Sequence, residues 1–497
     1  MKIVVIGGGL SGLTTSAFLA KKGHQVTLLE KNTTLGGRAR ALKAKGFLFD
    51  MGPSWYMMPE VIESIFQALG TSTKNFFTLQ ELKNKYRVFA DDVTPVDFVS
   101  DLQQNLAIFE KLVPGSSLKI RQLFRKTDQV YDLSVNHFLD KPYLKIADFF
   151  NFSLLINFLK ICSIFNPFQS YHRLVKKYVS DSFLQKIFEF QTVFLGGEPF
   201  STPALYSILI SADFREKIWY PMGGMIKLVE ALEQICLQHG VKIIKEAIVQ
   251  KITSTLQTKK VDGIDYLYQK QKLHLAADIV VSSADYPFTE LNLLTSDQQQ
   301  YPAKYWQQKD FSIACVLVYL GVNKKLTRLR HHNFYFQKNW NQHFTTIQKS
   351  SHWPEEPNFY LSAPSITDPS VAPVNQENLF LLVPVSIKTT TQDLEAYVAR
   401  TLVHVENKIG EKFIKNIIYQ KIYAPNDFAK DYFAYGGNAL GLSHRLSQSV
   451  FLRPNMKSKH LRGLYYTGQF TQPGVGVPMV LLSAKYVTDL ITNELST

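Results

Sequence analysis

Three glycines near the amino terminus carry the first chemistry the sequence offers. Gly7, Gly9 and Gly12 are spaced G-x-G-x-x-G, and Glu30 stands roughly 20 residues beyond them, where a ribose-binding acid belongs. Glycine at position 7 permits a tight turn. At 9 it lets a ligand's pyrophosphate approach the backbone, and at 12 it lets a helix pack closely on a strand. The free N–H groups of the helix start then face the phosphates with the positive end of the helix dipole, and Leu10 and Ser11 within the glycine segment join the candidate contacts. A carboxylate at Glu30 accepts from ribose hydroxyls and repels the extra phosphate of NADP. Lys31 beside it joins the candidate contacts. The chemistry offered is the grip on an adenine dinucleotide; a glycine-rich turn without a ligand is the plain alternative.

The elements needed to hold such a grip are in place. Residues 2–6, KIVVI, read as a buried strand, residues 13–22 as a helix ended by Gly23, and residues 25–29, QVTLL, as a second strand. Leu35-Gly36-Gly37-Arg38 follows and supplies a fixed charge for phosphate. Next comes residues 46–54, GFLFDMGPS, with Gly52, Pro53 and Ser54 at its end. At the far end of the chain a short strand runs into Gly468. A rigid loop around Pro473, Gly474 and Gly476 then leads through Val477, Pro478 and Met479 to a helix expected over 480–491.

Together these segments resemble the FAD-binding, amine-oxidase-like superfamily with its GGR turn and FDxGP segment. Within it the chain resembles the carotenoid desaturases and looks like the bacterial phytoene desaturases of the lycopene-forming type. Family-like stretches run through nearly the whole sequence, among them residues 194–197 (FLGG), 219–225 (WYPMGGM), 331–333 (HHN), 425–428 (PNDF) and 451–454 (FLRP). The resemblance implies FAD as cofactor, backbone around Gly468 on the ribityl or pyrophosphate region, Val477–Met479 near the flavin ring, and Val249 at the adenine. It implies a hydrophobic polyene substrate, phytoene or its C30 analogue, and reoxidation by a quinone or dioxygen. Isomerisation or oxygenation of a carotenoid is a neighbouring possibility. An amine oxidase, or a flavin-free module of this fold that binds prenylated proteins, are more distant ones. Some relatives carry an Asp-x-x-Arg pattern; here the matching stretch is Asp148-Phe149-Phe150-Asn151, with the acid present and the arginine absent. Asp148 is the one candidate catalytic side chain, and a helix N-cap is its plain alternative.

Length and composition fit an enzyme of this kind. At 497 residues the chain exceeds the usual single domain. The expected fold class is α/β: a discontinuous Rossmann-like FAD-binding domain from residues 1–85, 221–289 and 456–497, and a mixed α+β substrate domain from 86–220 and 290–455 with a helical membrane-facing part. With 45% hydrophobic and 19% charged residues, the chain is neither disordered nor collagen-like. There are 35 Phe, which suit an apolar tunnel. The net charge of +14 suggests an anionic partner such as a membrane surface, or serves solubility alone. Residues 149–178 are dense in Phe, Leu and Ile and end in Arg173, Lys176 and Lys177. They read as an apolar helix followed by a basic cluster, lying either in a bilayer interface or in the core. The expectation is a cytoplasmic protein held peripherally at the cytoplasmic membrane, with no spanning helix and no export signal. Cys162, Cys236 and Cys315 are odd in number and far apart, and read as buried, reduced thiols. His331-His332 is a poor metal pair without a third ligand nearby, so no metal site is expected. No nucleic-acid motif accompanies the aromatics.

Overall fold

Five short strands, all parallel, form the sheet that carries the glycine turn. The computed structural model describes residues 1–139, 142, 152–255, 257–389 and 392–496. Across this sheet the order is Leu464–Tyr466, Ile279–Ser282, Lys2–Ile6, Gln25–Leu29 and Lys242–Ile244. Lys2–Ile6 is central, with Ile3 opposite both Ile279 and Val26. Its β-branched residues are buried because both faces of the sheet are covered, Ile3 and Val5 by helices and Val4 and Ile6 by an antiparallel meander. The helix Leu10–Lys21 packs beside Ile226–Gln238 and Val477–Ser496, sharing one core with them through Leu13, Leu228, Leu232 and Leu481. All five strands lie within residues 1–85, 221–289 and 456–497. An antiparallel meander, Ile248–Thr255, Lys260–Tyr268 and Gln271–Ala276, is appended.

A second, seven-stranded sheet runs Ile417–Tyr423, Ala314–Val322, Glu377–Val385, Phe359–Ser362, His332–Phe336, Asn84–Ala90 and Val93–Val99. Every pairing is antiparallel except His332–Phe336 with Asn84–Ala90. Ala314–Val322, second from one edge, is buried along its whole length. Helices Leu102–Leu112, Ser116–Phe138, Phe152–Ile164, Tyr171–Tyr178, Ser182–Glu189 and Ile208–Phe214 pack on the Asn84–Val99 side through a cluster of aromatic side chains that includes Phe98, Phe109, Phe124, Phe188 and Phe214.

The stretch read as one apolar helix is divided, in its described part, into Phe152–Ile164 and Tyr171–Tyr178. Pro167 cannot continue a helix, and Ser170 caps the second one by accepting from the Arg173 N–H at 3.2 Å. The second helix buries Tyr171, Leu174, Val175 and Tyr178 and leaves Arg173, Lys176 and Lys177 exposed. The first leaves Leu155, Ile156 and Leu159 exposed instead. No helix among the described residues is long and apolar enough to cross a membrane. Cys162 is half-buried rather than buried; Cys236 and Cys315 are buried, and all three are free thiols.

Candidate functional site

Gly7 adopts φ +98°, and its N–H donates to Leu29 O at 2.8 Å, which ties the turn to the neighbouring strand. A Cβ on Gly12 would stand 2.0 Å from Gly7 O, so only glycine lets the helix begin this close to the strand. Gly9 is different: a Cβ there would meet nothing within 4 Å, and its backbone faces a large cavity. Glu30 is buried, with Oε2 accepting from the Gly8 N–H at 2.8 Å and Oε1 from the Asn32 N–H at 2.7 Å. Each oxygen keeps a further lone pair for a ligand hydroxyl.

The second glycine pair closes on the first. The Gly36 N–H donates to Gly8 O at 2.8 Å, and a Cβ on Gly37 would lie 3.2 Å from Gly9 Cα. This contact delivers Arg38 to the cavity wall. Its Nε and Nη2 are shielded from solvent and have no hydrogen-bond partner, and its guanidinium lies 5.1 Å from the Tyr432 ring centre. Burial lowers the Arg38 pKa, and the nearby Asp285 opposes that shift. Asp285 follows the carboxyl end of strand Ile279–Ser282. Burial pushes its carboxyl up to about 7 despite Arg38, and neither oxygen has a hydrogen-bond partner of good geometry. A guanidinium left without hydrogen bonds is costly. A pyrophosphate lying over Gly9 would supply the missing acceptors, so the residues present fit a dinucleotide.

The other end of the chain reaches the same place. Gly468, at φ +109°, follows strand Leu464–Tyr466, and a Cβ on it would approach Ser11 Oγ to 3.0 Å. Its N–H donates to Ser483 Oγ at 2.9 Å. The buried Arg453 holds the following loop, donating to Gln469 O at 2.6 Å, Thr471 O at 3.2 Å and Phe470 O at 3.3 Å. Val477, Pro478 and Met479 form the first turn of the helix Val477–Ser496, which starts earlier than the sequence suggested. Proline is tolerated there because its missing N–H has no intrahelical partner to lose.

One cavity of about 980 Å³ joins these pieces. Gly7, Gly9, Leu10, Ser11, Glu30, Lys31, Gly37, Arg38, Gly52, Pro53, Ser54, Val249, Gly468, Val477, Pro478 and Met479 all line it. Gly12 does not; it lies behind the turn. Asp148 lies outside the described residues. Away from the turn the wall becomes aromatic and aliphatic, with Phe190, Phe194, Phe334, Trp340 and Phe344. Helix Trp340–Lys349 sends Trp340, His343 and Phe344 into it by i, i+3, i+4 spacing. Their polar atoms are managed locally. Trp340 Nε1 donates to Glu189 Oε2 at 2.8 Å, Glu189 Oε1 meets His172 Nδ1 at 2.7 Å, and burial pushes His343 down to about 3, keeping it neutral. Leu155, Phe168, Leu446 and Leu452 both line the cavity and reach the surface, at 44, 56, 44 and 45% exposure. They mark an apolar mouth. Asp285 and the Trp340 helix escaped the sequence reading. Asp285 had one usable signal, its place at the carboxyl end of a parallel strand, where such sheets bind ligands.

The profile of the family "Flavin containing amine oxidoreductase" matches residues 10–492. The carotenoid 3,4-desaturase of Haloarcula japonica is 34% identical over 496 residues, covering 99% of this chain and 98% of its own. The 4,4'-diapophytoene desaturase (4,4'-diaponeurosporene-forming) of Staphylococcus haemolyticus is 31% identical over 506 residues, covering 100 and 99%. Among solved structures, an oxidoreductase from Methanosarcina mazei superposes with TM-score 0.65 at 18% identity, covering 98% of this chain and 100% of that one. Putrescine oxidase bound to putrescine gives 0.61 at 14%, covering 100% of both chains. At these identities the two structures establish a shared fold.

Proposed function

Since the chain belongs to the family of flavin containing amine oxidoreductases, we propose that it is an FAD-dependent desaturase acting on CH–CH groups of a C40 polyene precursor, converting a phytoene-type hydrocarbon to a lycopene-type product. The observation that carries this reading is the single cavity that runs from the glycine turn into an aromatic, aliphatic lumen. Gly9, Ser11, Glu30 and Arg38 would hold the adenosine and pyrophosphate side, with Val249 at the adenine. Gly52, Pro53, Ser54, Gly468 and residues 477–479 would hold the rest of the FAD. When bound, FAD supplies a two-electron acceptor for a hydride.

A hydrocarbon offers no polar handle. The lumen therefore binds it by removing apolar surface from water, at about 25 cal/mol per Å². Phe190, Phe334 and Phe344 orient it by shape, and their packing excludes water from the reacting carbons. The exposed Leu155, Leu159 and Phe168, with Arg173, Lys176 and Lys177 nearby in sequence, suit a surface resting on an anionic bilayer, the phase into which such a substrate partitions. The electron acceptor that regenerates the oxidised cofactor is a quinone or dioxygen.

A second reading, a C30 diapophytoene substrate, is favoured by what the staphylococcal relative's name says it acts on. Incubating the flavin-loaded protein in vesicles with each precursor, followed by chromatography of the pigments, separates the two. Conversion of the C40 compound is the expected result. Conversion of the C30 compound alone replaces the C40 reading, and conversion of neither removes both.

A further inference from the structure

Two cavities meet at Ser54. Beside the large one lies a pocket of about 10 Å³ whose wall includes Asp50, Ser54, Tyr220 and His331. A single water needs roughly 10–15 Å³ and two to four polar partners. The partners are there. Tyr220 and His331 are 1 and 3% exposed, and Tyr220 Oη and His331 Nε2 have no hydrogen-bond partner. His331 Nδ1 is turned away, 2.8 Å from Thr367 Oγ1. The Asp50 carboxylate is anchored at the start of helix Ile226–Gln238, accepting from the Met225 N–H at 3.0 Å and the Ile226 N–H at 3.4 Å. On the other side, Ser54 Oγ is 2.7 Å from Tyr360 Oη. Tyr360 Oη in turn accepts from Trp55 Nε1 at 3.2 Å and lies 2.7 Å from His332 Nδ1. Ser54 thus lines both cavities, and its hydroxyl is held by Tyr360.

Desaturation releases a proton inside an apolar lumen, where it cannot remain. We propose that the small pocket is a water site and that Asp50, reached through that water and the Ser54 hydroxyl, is the acceptor of this proton. The inference rests on the desaturase reading. One hydrogen of the substrate would leave its carbon with the bonding electron pair, as a hydride that bound FAD would accept. The C–H bond on the neighbouring carbon breaks the other way: its electron pair forms the new C=C and its proton goes to Ser54 Oγ. Ser54 passes its own proton to the water, the water passes one to Asp50, and the carboxylate becomes a carboxylic acid. The surroundings suit an acceptor that must also let go. Burial, reinforced by the Asp368 carboxylate and opposed by the two helix N–H groups, pushes Asp50 up to about 7. The other groups around it are Tyr220, Tyr319 and Tyr360, whose phenols are all raised by burial, and His331, held down to about 3. Asp50 alone among this set is placed to titrate near neutrality.

The test uses the flavin-loaded protein in lipid vesicles with the C40 and C30 precursors, reading the rate of the first reduction across pH. Wild type is expected to climb with pH and level off above about 7, since the carboxylate must be ionised to accept. Asp50→Asn keeps an oxygen for the Met225 N–H and gives up only the longer bond from the Ile226 N–H. It is expected to lose that acid limb and to slow by about 100-fold, with flavin content unchanged. Infrared spectra of the substrate-free protein provide a readout independent of turnover: carboxylic C=O absorption that disappears as pH rises through 7 and is diminished in Asp50→Asn, the remainder belonging to Asp285. Tyr220→Phe leaves the carboxylate and its helix bonds alone and removes one partner of the water, and should slow reduction about tenfold. An unchanged rate and pH profile in Asp50→Asn, or titrating absorption undiminished in that variant, overturns the proposal. If Asp50→Asn does not fold, an unchanged rate and profile in Tyr220→Phe does so. Absence of any conversion by wild type would instead defeat the desaturase reading itself.

Discussion

Ser11, in the first turn of the first long helix, and Gly468, just past the last strand, are packed so closely that a Cβ on Gly468 would come to 3.0 Å from the serine Oγ. The backbone there is also left-handed, at φ +109°, a region that costs a side-chain-bearing residue about 1–3 kcal/mol. Gly468→Val is expected to purify folded but with at least about tenfold less bound flavin, since 1.4 kcal/mol is a factor of ten in affinity. Flavin absorbance per mole of protein measures it; a fully loaded variant would contradict the placement of the cofactor between the two ends.

Lys85 and Asp213 form an ion pair at 2.7 Å with side chains 0 and 1% exposed, and Asp213 also accepts from Tyr86 Oη and Gln191 Nε2 at 2.9 and 2.6 Å. Lys85→Met leaves a buried carboxylate without its counter-charge and should cost about 3–5 kcal/mol. Lys85→Met with Asp213→Asn removes the charge while keeping an acceptor for Tyr86 and Gln191, and should recover most of that loss. Urea midpoints of the three proteins decide between this and simple loss of packing.

Burial holds His331, His343 and His444 down to about 3 in the folded protein. A depressed histidine pKa means that the unfolded chain binds the proton first. The stability these residues contribute is therefore whole above pH 6.5 and drains away as pH falls from 6.5 towards 3. Between pH 6.5 and 5 each should account for roughly 1–2 kcal/mol. Tm should drop over that interval, and less in His343→Phe than in wild type. Parallel curves would show that His343 does not contribute.

Leu155→Glu with Leu159→Glu places charge on the exposed face beside the cavity mouth. Cosedimentation with anionic vesicles should fall at least about tenfold, given 1.5–3 kcal/mol for burying a leucine. Flavin content should stay constant. Raising salt should weaken the wild-type interaction, because Arg173, Lys176 and Lys177 contribute about 1 kcal/mol each near an anionic surface. Equal sedimentation of variant and wild type would detach this mouth from any membrane role.

The amino-terminal unit was readable because its information is local. A buried strand, three glycines and an acid at fixed spacing have one good steric solution, and the contact of Gly12 with Gly7 O is that solution made visible. The last helix starts three residues before the sequence suggests, because Pro478 looks like loop although the first helical turn tolerates it. Residues 149–178 look like one helix because their hydrophobicity outweighs the break at Pro167. Trp340 and His343 could not be assigned to the lumen from sequence, since nothing within their helix says which body it faces. Asp50 and His331 were visible only as members of FDMGP and of a histidine pair. Their meeting around one small pocket depends on a turn at residues 222–226 and on strand pairings that bring distant segments together.

The parallel sheet that carries the glycine turn takes one edge strand, Leu464–Tyr466, from a segment separated from that turn by most of the sequence. The cradle therefore has no closing wall until two segments so far apart in sequence have met. Closing a loop of that length is slow, so the wall that carries Gly468 is among the late contacts to form when the protein folds.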